Sequence, residues 1–282
     1  MAKTLEQVRD FWNQNLCGSK FVRAQYPDSA FFEEYTAFRY RKTHHLDKYI
    51  DWAQAAGKDV LEIGLGIGAD AIRWARHARS YTGIDITEES VIATRQHFEY
   101  KGLEGDIVLA NAEEIPFENE RFDLVYSHGV LHHTPEIMKA LSEANRVLRS
   151  NGRLILMLYC RNSFNYWIRI QGWFRLRMLF EWLNNKVGGN SNELWSAHLS
   201  NLKKVGWRYF SWSEWPHHCT DGPDCQISNI FTPAQVRRML RQSGFTVVEL
   251  RKAHFPLGVS PWLERAIARF MGFHQLIRAI KN

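Results

Sequence analysis

The stretch Val60-Leu61-Glu62-Ile63-Gly64-Leu65-Gly66-Ile67-Gly68 is the part of the chain that decides its fold. Its first four residues predict a short buried strand, and helical spacing begins directly after the last glycine, at Ala69. The three glycines allow a sharp turn and a close approach of the backbone to a ligand. The loop also fits the G-x-G-x-x-A pattern of dinucleotide-binding proteins, so by itself it leaves the identity of the ligand open.

Strands and helices alternate on the C-terminal side of this loop. Further strands are predicted at 80–86, 107–110, 122–126 and 154–159, with helical segments between them. This alternation predicts an α/β protein with a doubly wound, mainly parallel, Rossmann-like sheet.

The alternation also divides the chain into four parts. We expect an N-terminal helical segment at 1–58, a sheet core at 59–160 and a helical, aromatic cap inserted after strand five at 161–230. Residues 231–282 are predicted to return to the sheet and to end in an amphipathic helix that runs from Pro261 to the C-terminus.

Polar residues lie near the carboxyl ends of three of the predicted strands. Glu62 lies two residues before the first glycine, where a carboxylate suits a ligand that bears an ammonium group. Asp85 ends the second strand, where an acid accepts hydrogen bonds from ribose hydroxyls. Asn111-Ala112-Glu113 follows the third strand and offers a side chain and a backbone N–H to an adenine edge. These positions predict a pocket for an adenosine that carries an amino acid, as in S-adenosylmethionine.

Residues 60–159 resemble the class I S-adenosylmethionine-dependent methyltransferases of the small-molecule "methyltransferase type 11" group. The resemblance rests on the glycine loop, Gly83-Ile84-Asp85, Asn111–Phe117, Phe122–Ser127, Gly129–Pro135 and Arg146–Leu148. It implies S-adenosyl-L-methionine as the cofactor, held by Glu62, Gly64, Gly66, Gly68, Asp85, Ile86, Asn111, Ala112, Glu113 and Ser127. The group more often has Asp at the position of Asn111, but Asn keeps an acceptor for the adenine amino group.

Residues 1–58 resemble one subgroup, in which the N-terminal segment folds over the cofactor. The resemblance makes Tyr40 and Arg41 candidates for binding the methionine carboxylate.

Residues just after strands four and five are expected to face the methyl group, because ligands bind beyond the carboxyl ends of parallel strands. His128 and Tyr159 lie there, and His128 is the preferred base if the acceptor is a hydroxyl. His217 and His218 are the alternative bases, and an amine, thiolate or carbon acceptor needs none of them. No metal site is predicted, because His217, His218 and Cys219 are adjacent and cannot easily converge on one ion.

Composition limits the class of protein. An apolar content of 45% and a charged content of 23% exclude wholesale disorder. Four cysteines do not make a disulfide framework in a chain of 282 residues. No apolar run approaches the roughly 18–20 residues of a membrane span. The first residues lack the pattern of a secretory signal, so we expect a cytoplasmic protein.

Charge is unevenly distributed along the chain. Residues 161–282 contain 17 Lys and Arg against 7 Asp and Glu, and eight of the eleven tryptophans. Such a basic, aromatic part suits an anionic ligand, a membrane surface or a nucleic acid, or it is a solvated face. We expect residues 166–180 to form a lid over an apolar substrate. Transient contact with a membrane surface and an interface of a homodimer are the alternatives.

The predicted activity is methyl transfer from S-adenosylmethionine to a small, largely apolar or aromatic molecule of specialised metabolism. O-methylation is favoured, and N- or C-methylation stays open. One alternative is a methyltransferase acting on a nucleic acid, a lipid or a quinone. However, Ser127-His128-Gly129-Val130 replaces the Asp/Asn-Pro-Pro-aromatic motif of base methyltransferases, so no nucleic-acid partner is expected. A nicotinamide-dependent oxidoreductase is a further alternative, which Glu62 and Asn111 argue against.

Overall fold

One eight-stranded sheet organises the chain. The computed structural model describes residues 4–255 and 261–282, so residues 1–3 and 256–260 of the predicted terminal parts lie outside the described residues. The strands are β1 (Asp59–Ile63), β2 (Ser80–Asp85), β3 (Asp106–Leu109), β4 (Phe122–His128), β5 (Leu148–Cys160), β6 (Ile230–Phe231), β7 (Phe245–Ala253) and β8 (His274–Lys281).

The sheet has the order β3-β2-β1-β4-β5-β8-β7, and the short β6 pairs with β5. Strands β1 to β5 are parallel to their neighbours within that group, whereas β8 is antiparallel to both β5 and β7. The doubly wound, mainly parallel sheet predicted from the sequence is therefore confirmed.

Helices flank the sheet and build the two segments outside it. They are α1 (Leu5–Gln14), α2 (Ser29–Lys42), α3 (Leu46–Tyr49), α4 (Ala69–Ala75), α5 (Glu88–Lys101), α6 (Ile137–Val147), α7 (Arg175–Lys186), α8 (Glu193–Val205), α9 (His217–Thr220), α10 (Pro233–Gln242) and α11 (Pro261–Met271). A π-helical segment, Asn165–Phe174, precedes α7. Within the described ranges no helix has the length and apolarity needed to span a membrane.

Local signals explain where several helices begin. Thr232 accepts a hydrogen bond from the backbone of Gln235, whose side chain accepts one from the backbone of Thr232, and Pro233 occupies the first turn. Thr87 caps α5 by accepting a hydrogen bond from the backbone N–H of Ser90. These contacts lie within four residues, so the sequence alone can predict them.

Both faces of the sheet are covered by apolar side chains. Successive residues of β1 point to opposite faces: Leu61 packs in the cluster that includes Leu141 of α6, and Val60 packs in the cluster that includes Trp74 of α4. The sheet is therefore the middle layer of three, and the carboxyl ends of its parallel strands meet along one edge.

The C-terminal helix predicted from Pro261 is shorter than expected. It ends at Met271, and His274–Lys281 forms β8 instead. A Cβ on Gly272 would lie 2.5 Å from the carbonyl oxygens of Ala253 and Ala268, so only glycine fits at this turn. The following residues pair with β5 on one side and β7 on the other, and these tertiary hydrogen bonds override the helical spacing.

Residues 161–230 form a helical unit with a core of its own. Ile170, Met178, Trp195 and Trp215 are buried in one cluster with Tyr209. The opposite side of the unit exposes large apolar side chains, among them Trp173, Leu176, Phe180 and Leu183. This exposed set is called the apolar ridge below.

Candidate functional site

A cavity of about 130 Å³ opens at the carboxyl edge of the sheet, under the N-terminal segment. Eight of the residues predicted to form the site line it: Glu62, Gly64, Gly66, Asp85, Ile86, Asn111, Ala112 and His128. The other walls include Leu5, Val8, Trp12, Cys17, Tyr35, Arg39, Asp70 and His133. The tertiary structure thus brings the predicted loop and strand ends together in one place.

The glycine loop needs glycine for two different reasons. Gly64 has a φ of +83°, and a Cβ there would lie 2.1 Å from the side chain of Val130. Gly66 has a φ of +58°, but the nearest atom to a Cβ there is the Tyr35 hydroxyl oxygen at 3.5 Å. Gly64 therefore permits close packing against Val130. Gly66 instead leaves the backbone of the loop without a side chain towards the cavity, so that a ligand can approach the loop closely.

Asp85 fastens the glycine loop to the start of α5. One carboxylate oxygen accepts from the Leu65 backbone N–H at 2.8 Å, and the other accepts from the Thr87 N–H at 2.9 Å and its hydroxyl at 2.7 Å. Burial raises the pKa of this carboxyl group in spite of these bonds. The side chain faces the cavity, and its predicted contact with ribose hydroxyls stays a prediction.

Glu62 is a buried acid that makes no ion pair within the described part of the chain, although the charge of Arg39 acts to lower its pKa. Its side chain is 2% exposed and accepts a hydrogen bond from the Tyr81 hydroxyl at 2.8 Å. Burial, and then the neighbouring charge of Asp70, raise its pKa well above the usual range. A cationic group in the cavity would favour the ionised form, so this wall fits a ligand that carries an ammonium or a sulfonium.

Arg39, rather than Tyr40 or Arg41, is the cationic residue that the N-terminal segment places in the cavity. Tyr35 and Arg39 are four residues apart and share the face of α2 that lines it. Tyr40 donates to the carbonyl of Ala69 at 3.0 Å, and Arg41 is exposed. Tyr40 and Arg41, the candidates for the methionine carboxylate, are not among the described residues that line the cavity. They follow Arg39 by one and two positions, which on a helix are rotations of about 100° and 200°. Their contact with a carboxylate stays a prediction.

Arg39 links an acid and a histidine of the cavity wall. Its Nη2 atom lies 2.6 Å from Asp70 Oδ2 and 3.1 Å from His128 Nδ1. Burial opposes ionisation of Asp70, yet Arg39 lowers the pKa of that carboxyl group to about 2. The aspartate and the arginine therefore form a buried ion pair.

His128 is neutral and its Nδ1 atom is engaged. A guanidinium can only donate, so Nδ1 is the acceptor and Nε2 carries the proton. Burial, followed by the charge of Arg39, lowers the pKa of His128 to about 3. The predicted role of His128 as a base stays a prediction, and it requires Arg39 to release Nδ1.

Besides Tyr40 and Arg41, three more predicted cofactor residues lie outside the cavity lining. Gly68 precedes α4 with a φ of +78°. Glu113 accepts from the backbone N–H of Glu136 at 2.9 Å, and Ser127 donates to the carbonyl of Ile63 at 3.0 Å. In the described structure these residues hold the strand and helix ends that form the wall.

The remaining catalytic candidates hold the inserted segment together. Tyr159 donates to Asp221 at 3.1 Å. His217 Nδ1 accepts from the Ser228 N–H at 2.8 Å, and His218 Nδ1 donates to the Pro223 carbonyl at 2.7 Å. Among the described residues that line the cavity, none comes from 161–230. In the described structure the apolar side chains of this segment pack in a cluster with Phe273 instead of lining the cavity. The lid over an apolar substrate stays a prediction.

Helix α1 of the N-terminal segment contributes cavity residues that the sequence motifs do not name. Its residues Leu5, Val8 and Trp12 lie over the cavity, and the Trp12 ring packs edge-on against His133 at 5.0 Å. The spacing 5, 8, 12 is the apolar stripe of an amphipathic helix, which was the available signal. Nothing in that stripe indicates which surface the helix covers.

The central part of the chain matches a known protein family. Residues 61–156 match the family described as "Methyltransferase domain". A phthiotriol/phenolphthiotriol dimycocerosates methyltransferase of Mycobacterium leprae is 38% identical over 101 residues, which are 35% of this chain and 37% of that protein. The 27-O-demethylrifamycin SV methyltransferase of Amycolatopsis mediterranei is 36% identical over 104 residues, which are 36% of this chain and 38% of that protein. The matches thus span less than half of these curated relatives.

Solved structures share the fold over the whole chain at low sequence identity. The [4+2]-cyclase SpnF aligns with a TM-score of 0.59 and 16% identity, covering 100% of this chain and 97% of that one. Magnesium protoporphyrin IX methyltransferase from Synechocystis aligns with a TM-score of 0.56 and 15% identity, covering 99% and 100% of the two chains. These likenesses support the fold, and they include an enzyme named for a different reaction.

Proposed function

We propose that this chain transfers a methyl group from S-adenosyl-L-methionine to a small, largely apolar acceptor, because residues 61–156 match the methyltransferase domain family. The observation that carries the proposal is the cavity. It combines a bare glycine backbone at Gly66, the buried acid Glu62 and the cation Arg39 at the carboxyl edge of the sheet. An amino acid attached to an adenosine presents the complementary ammonium and carboxylate groups.

Different residues of the cavity wall would bind different parts of the cofactor. Glu62 would bind the ammonium group, and Arg39, held by Asp70, would bind the carboxylate. Asn111 and Ala112 would bind the adenine, and Asp85 would bind the ribose while it holds the loop. When bound, the cofactor supplies a methyl group already activated by its sulfonium, so the protein's task is to align the acceptor and exclude water.

Apolar walls support an apolar acceptor. Leu5, Val8 and Trp12 of α1 lie over the cavity, and α1 is the element whose movement would admit a substrate. The two curated relatives are named as methyltransferases of phthiotriol/phenolphthiotriol dimycocerosates and of 27-O-demethylrifamycin SV, neither of which is a nucleic acid. We favour an oxygen as the methyl acceptor and specialised metabolism as the setting, with His128 as the base once Arg39 has released it.

Calorimetry with two ligands tests the identity of the cofactor. S-adenosylhomocysteine should bind and NAD⁺ should not. Glu62→Gln should weaken S-adenosylhomocysteine binding by about 10- to 100-fold, since a hydrogen bond to a charged group contributes roughly 1.5–3 kcal/mol. The exposed Glu114→Gln is the matched control and should bind like the parent. Binding of NAD⁺ alone would reject the assignment.

Transfer of a labelled methyl group tests the class of acceptor. The protein is incubated with methyl-labelled S-adenosylmethionine and a small-molecule extract, a lipid extract or total RNA. Label that appears in a low-mass, organic-soluble product supports the proposal. Label that appears only in RNA would contradict it and would restore the nucleic-acid alternative.

A further inference from the structure

The inserted segment reaches the edge of the cavity at one place, beside His133. Asp221 Oδ2 lies 3.6 Å from His133 Nε2, and Cys225 Sγ lies 4.0 Å from His133 Nδ1. His133, Asp221 and Cys225 each offer one ligand atom, and these three atoms lie within 4.8 Å of one another. His133 is 4% exposed and Cys225 is 1% exposed, so the group is largely shielded from water.

We propose that His133, Asp221 and Cys225 bind one Zn²⁺ ion at the wall of the cofactor cavity. An imidazole, a carboxylate and a thiolate are all Zn²⁺ ligands, and three protein ligands leave the fourth tetrahedral position open, as in catalytic zinc sites. The two anionic ligands balance the charge of the ion. His133 also lines the cavity, so the ion would lie beside the space where an acceptor is proposed to bind.

The surrounding hydrogen bonds prepare two of the ligands for a metal. The Ile227 carbonyl lies 2.5 Å from His133 Nδ1, and a carbonyl can only accept, so the proton is on Nδ1 and the lone pair is on Nε2. Tyr159 donates to Asp221 at 3.1 Å and orients that carboxylate. Supporting contacts of this kind, to a carbonyl on the imidazole and to the carboxylate itself, accompany most metal ligands in proteins.

The spacing requires Cys225 to move towards Nε2, because its Sγ lies 4.0 Å from Nδ1, the nitrogen that keeps its proton. With bonds of about 2.0–2.3 Å, ligand atoms around a tetrahedral zinc lie roughly 3.3–3.7 Å apart. The 3.6 Å between His133 Nε2 and Asp221 Oδ2 already meets this requirement. Cys225 Sγ now donates to the Ile227 carbonyl at 3.4 Å, and it would lose this proton on binding the ion.

A second histidine group in the molecule is less suited to a metal. Ring nitrogens of His45, His128 and His274 also lie within 4.8 Å of one another. However, Arg39 donates to His128 Nδ1, which places the proton on Nε2, and none of the three ligands is an anion. A substitution in this group therefore serves as a control in measurements of metal binding at the proposed zinc site.

A role for the ion in catalysis rests on the proposed methyl transfer. An acceptor hydroxyl or thiol bound to the ion would lose its proton to water more readily, as zinc-bound water does. Its oxygen or sulfur then forms the new bond to the methyl carbon. The bond between that carbon and the donor sulfur breaks, and its electron pair stays on the donor sulfur.

Cobalt substitution tests the site without any methyl transfer. Metal-free parent protein is titrated with Co²⁺, and Zn²⁺ is then added in competition. We expect one ion per chain with a thiolate-to-cobalt charge-transfer band. The band should be absent in Cys225→Ser and present in Cys219→Ser, a buried cysteine six positions earlier in the same segment. A parent protein that binds no ion, or whose spectrum lacks a thiolate band, would overturn the proposal.

Affinity measurements separate ligands from neighbours. Asp221→Asn should weaken Zn²⁺ binding by more than about 100-fold, and Tyr159→Phe by about 10- to 100-fold with the band retained. Asp224→Asn and His274→Gln should bind like the parent. Loss of binding in His274→Gln with retention in Asp221→Asn would assign the ion to the other histidine group and overturn the proposal. Circular dichroism of the metal-free variants checks folding, and S-adenosylhomocysteine binding reports separately on the proposed function.

Discussion

The N-terminal segment and the inserted segment look alike in sequence but differ in position. Both are helical and rich in aromatic residues, and both lie outside the alternating pattern of the sheet. The N-terminal segment supplies Trp12, Tyr35 and Arg39 to the cavity wall. The inserted segment buries only some of its aromatic residues, among them Trp195, Tyr209 and Trp215, in a separate cluster, and it approaches the site through Asp221 and Cys225.

The difference shows what aromatic density can and cannot indicate. Aromatic side chains predict burial, because each removes a large apolar area from water. They do not predict what covers them, since any apolar surface of the right shape is sufficient. The polar residues are more specific: Arg39 lies in the cavity because Asp70 is there to neutralise it.

Breaking the contact between the N-terminal segment and the sheet should have the largest effect. Arg39→Ala leaves the charge of Asp70 buried without its partner, which should cost about 3–5 kcal/mol of stability and most of the affinity for S-adenosylhomocysteine. Urea unfolding and calorimetry measure the two effects. Arg41→Ala, an exposed arginine on the same helix, is the control and should change neither quantity. Equal effects of the two substitutions would reject the placement of Arg39.

Ligand binding should stabilise the two segments unequally. At a free concentration of S-adenosylhomocysteine 100 times its dissociation constant, amide exchange in 1–58 should slow by up to about 100-fold, equivalent to about 2.7 kcal/mol. Exchange in 175–205 should change far less, because no residue of that range lines the cavity. Hydrogen–deuterium exchange with mass spectrometry measures both. Equal protection would show that the inserted segment closes over the ligand after all.

Each segment contains a buried histidine that should make stability depend on pH. Burial lowers the pKa of His45 to about 2 and that of His198 to about 4. Between pH 6.5 and these values the unfolded chain binds a proton that the folded chain does not. Stability should therefore fall on acidification by about 1.4 kcal/mol per pH unit for each histidine.

Two variants separate these contributions. His45→Gln and His198→Gln should each make the pH dependence of the unfolding free energy shallower to the same extent between pH 6 and 4. Below pH 4 only His45→Gln should still show a shallower pH dependence of the unfolding free energy than the parent. Folded His198 is protonated in that range, so it no longer contributes to the slope. The exposed His77→Gln is the control for both. A steeper dependence in either variant would contradict the assignment.

Changes on the apolar ridge of the inserted segment should have the smallest effect. Leu176 and Trp173 are 65% and 59% exposed, so Leu176→Ser and Trp173→Ser should alter stability by less than about 0.5 kcal/mol. The sequence leaves open a transient contact of this segment with membranes, and the exposed ridge is the surface on which such a contact would rest. Sedimentation with anionic phospholipid vesicles should be reduced in the double variant. Unchanged sedimentation would exclude this surface as the contact.

The sequence by itself determined the features that depend on neighbouring residues. The glycine loop, the acid two residues before it, Asp85 at the end of β2 and the capping threonines all act within a few positions of the chain. Their physical requirements, such as a positive φ at Gly64, can be met by few residue types. For this reason the sheet core, the cofactor and most of the cavity wall could be predicted.

Only the tertiary structure decided the features that depend on distant residues. Whether position 39 or 41 faces the cavity depends on how α2 is rotated against Asp70, and both rotations fit the local helix equally well. The strand β8 exists because β5 and β7 offer free backbone groups on either side of it. His133 and Cys225 meet although 91 residues lie between them, and adjacency in the sequence carries no information about such a contact. The free energy of these arrangements comes from partners that the chain brings together only when it folds.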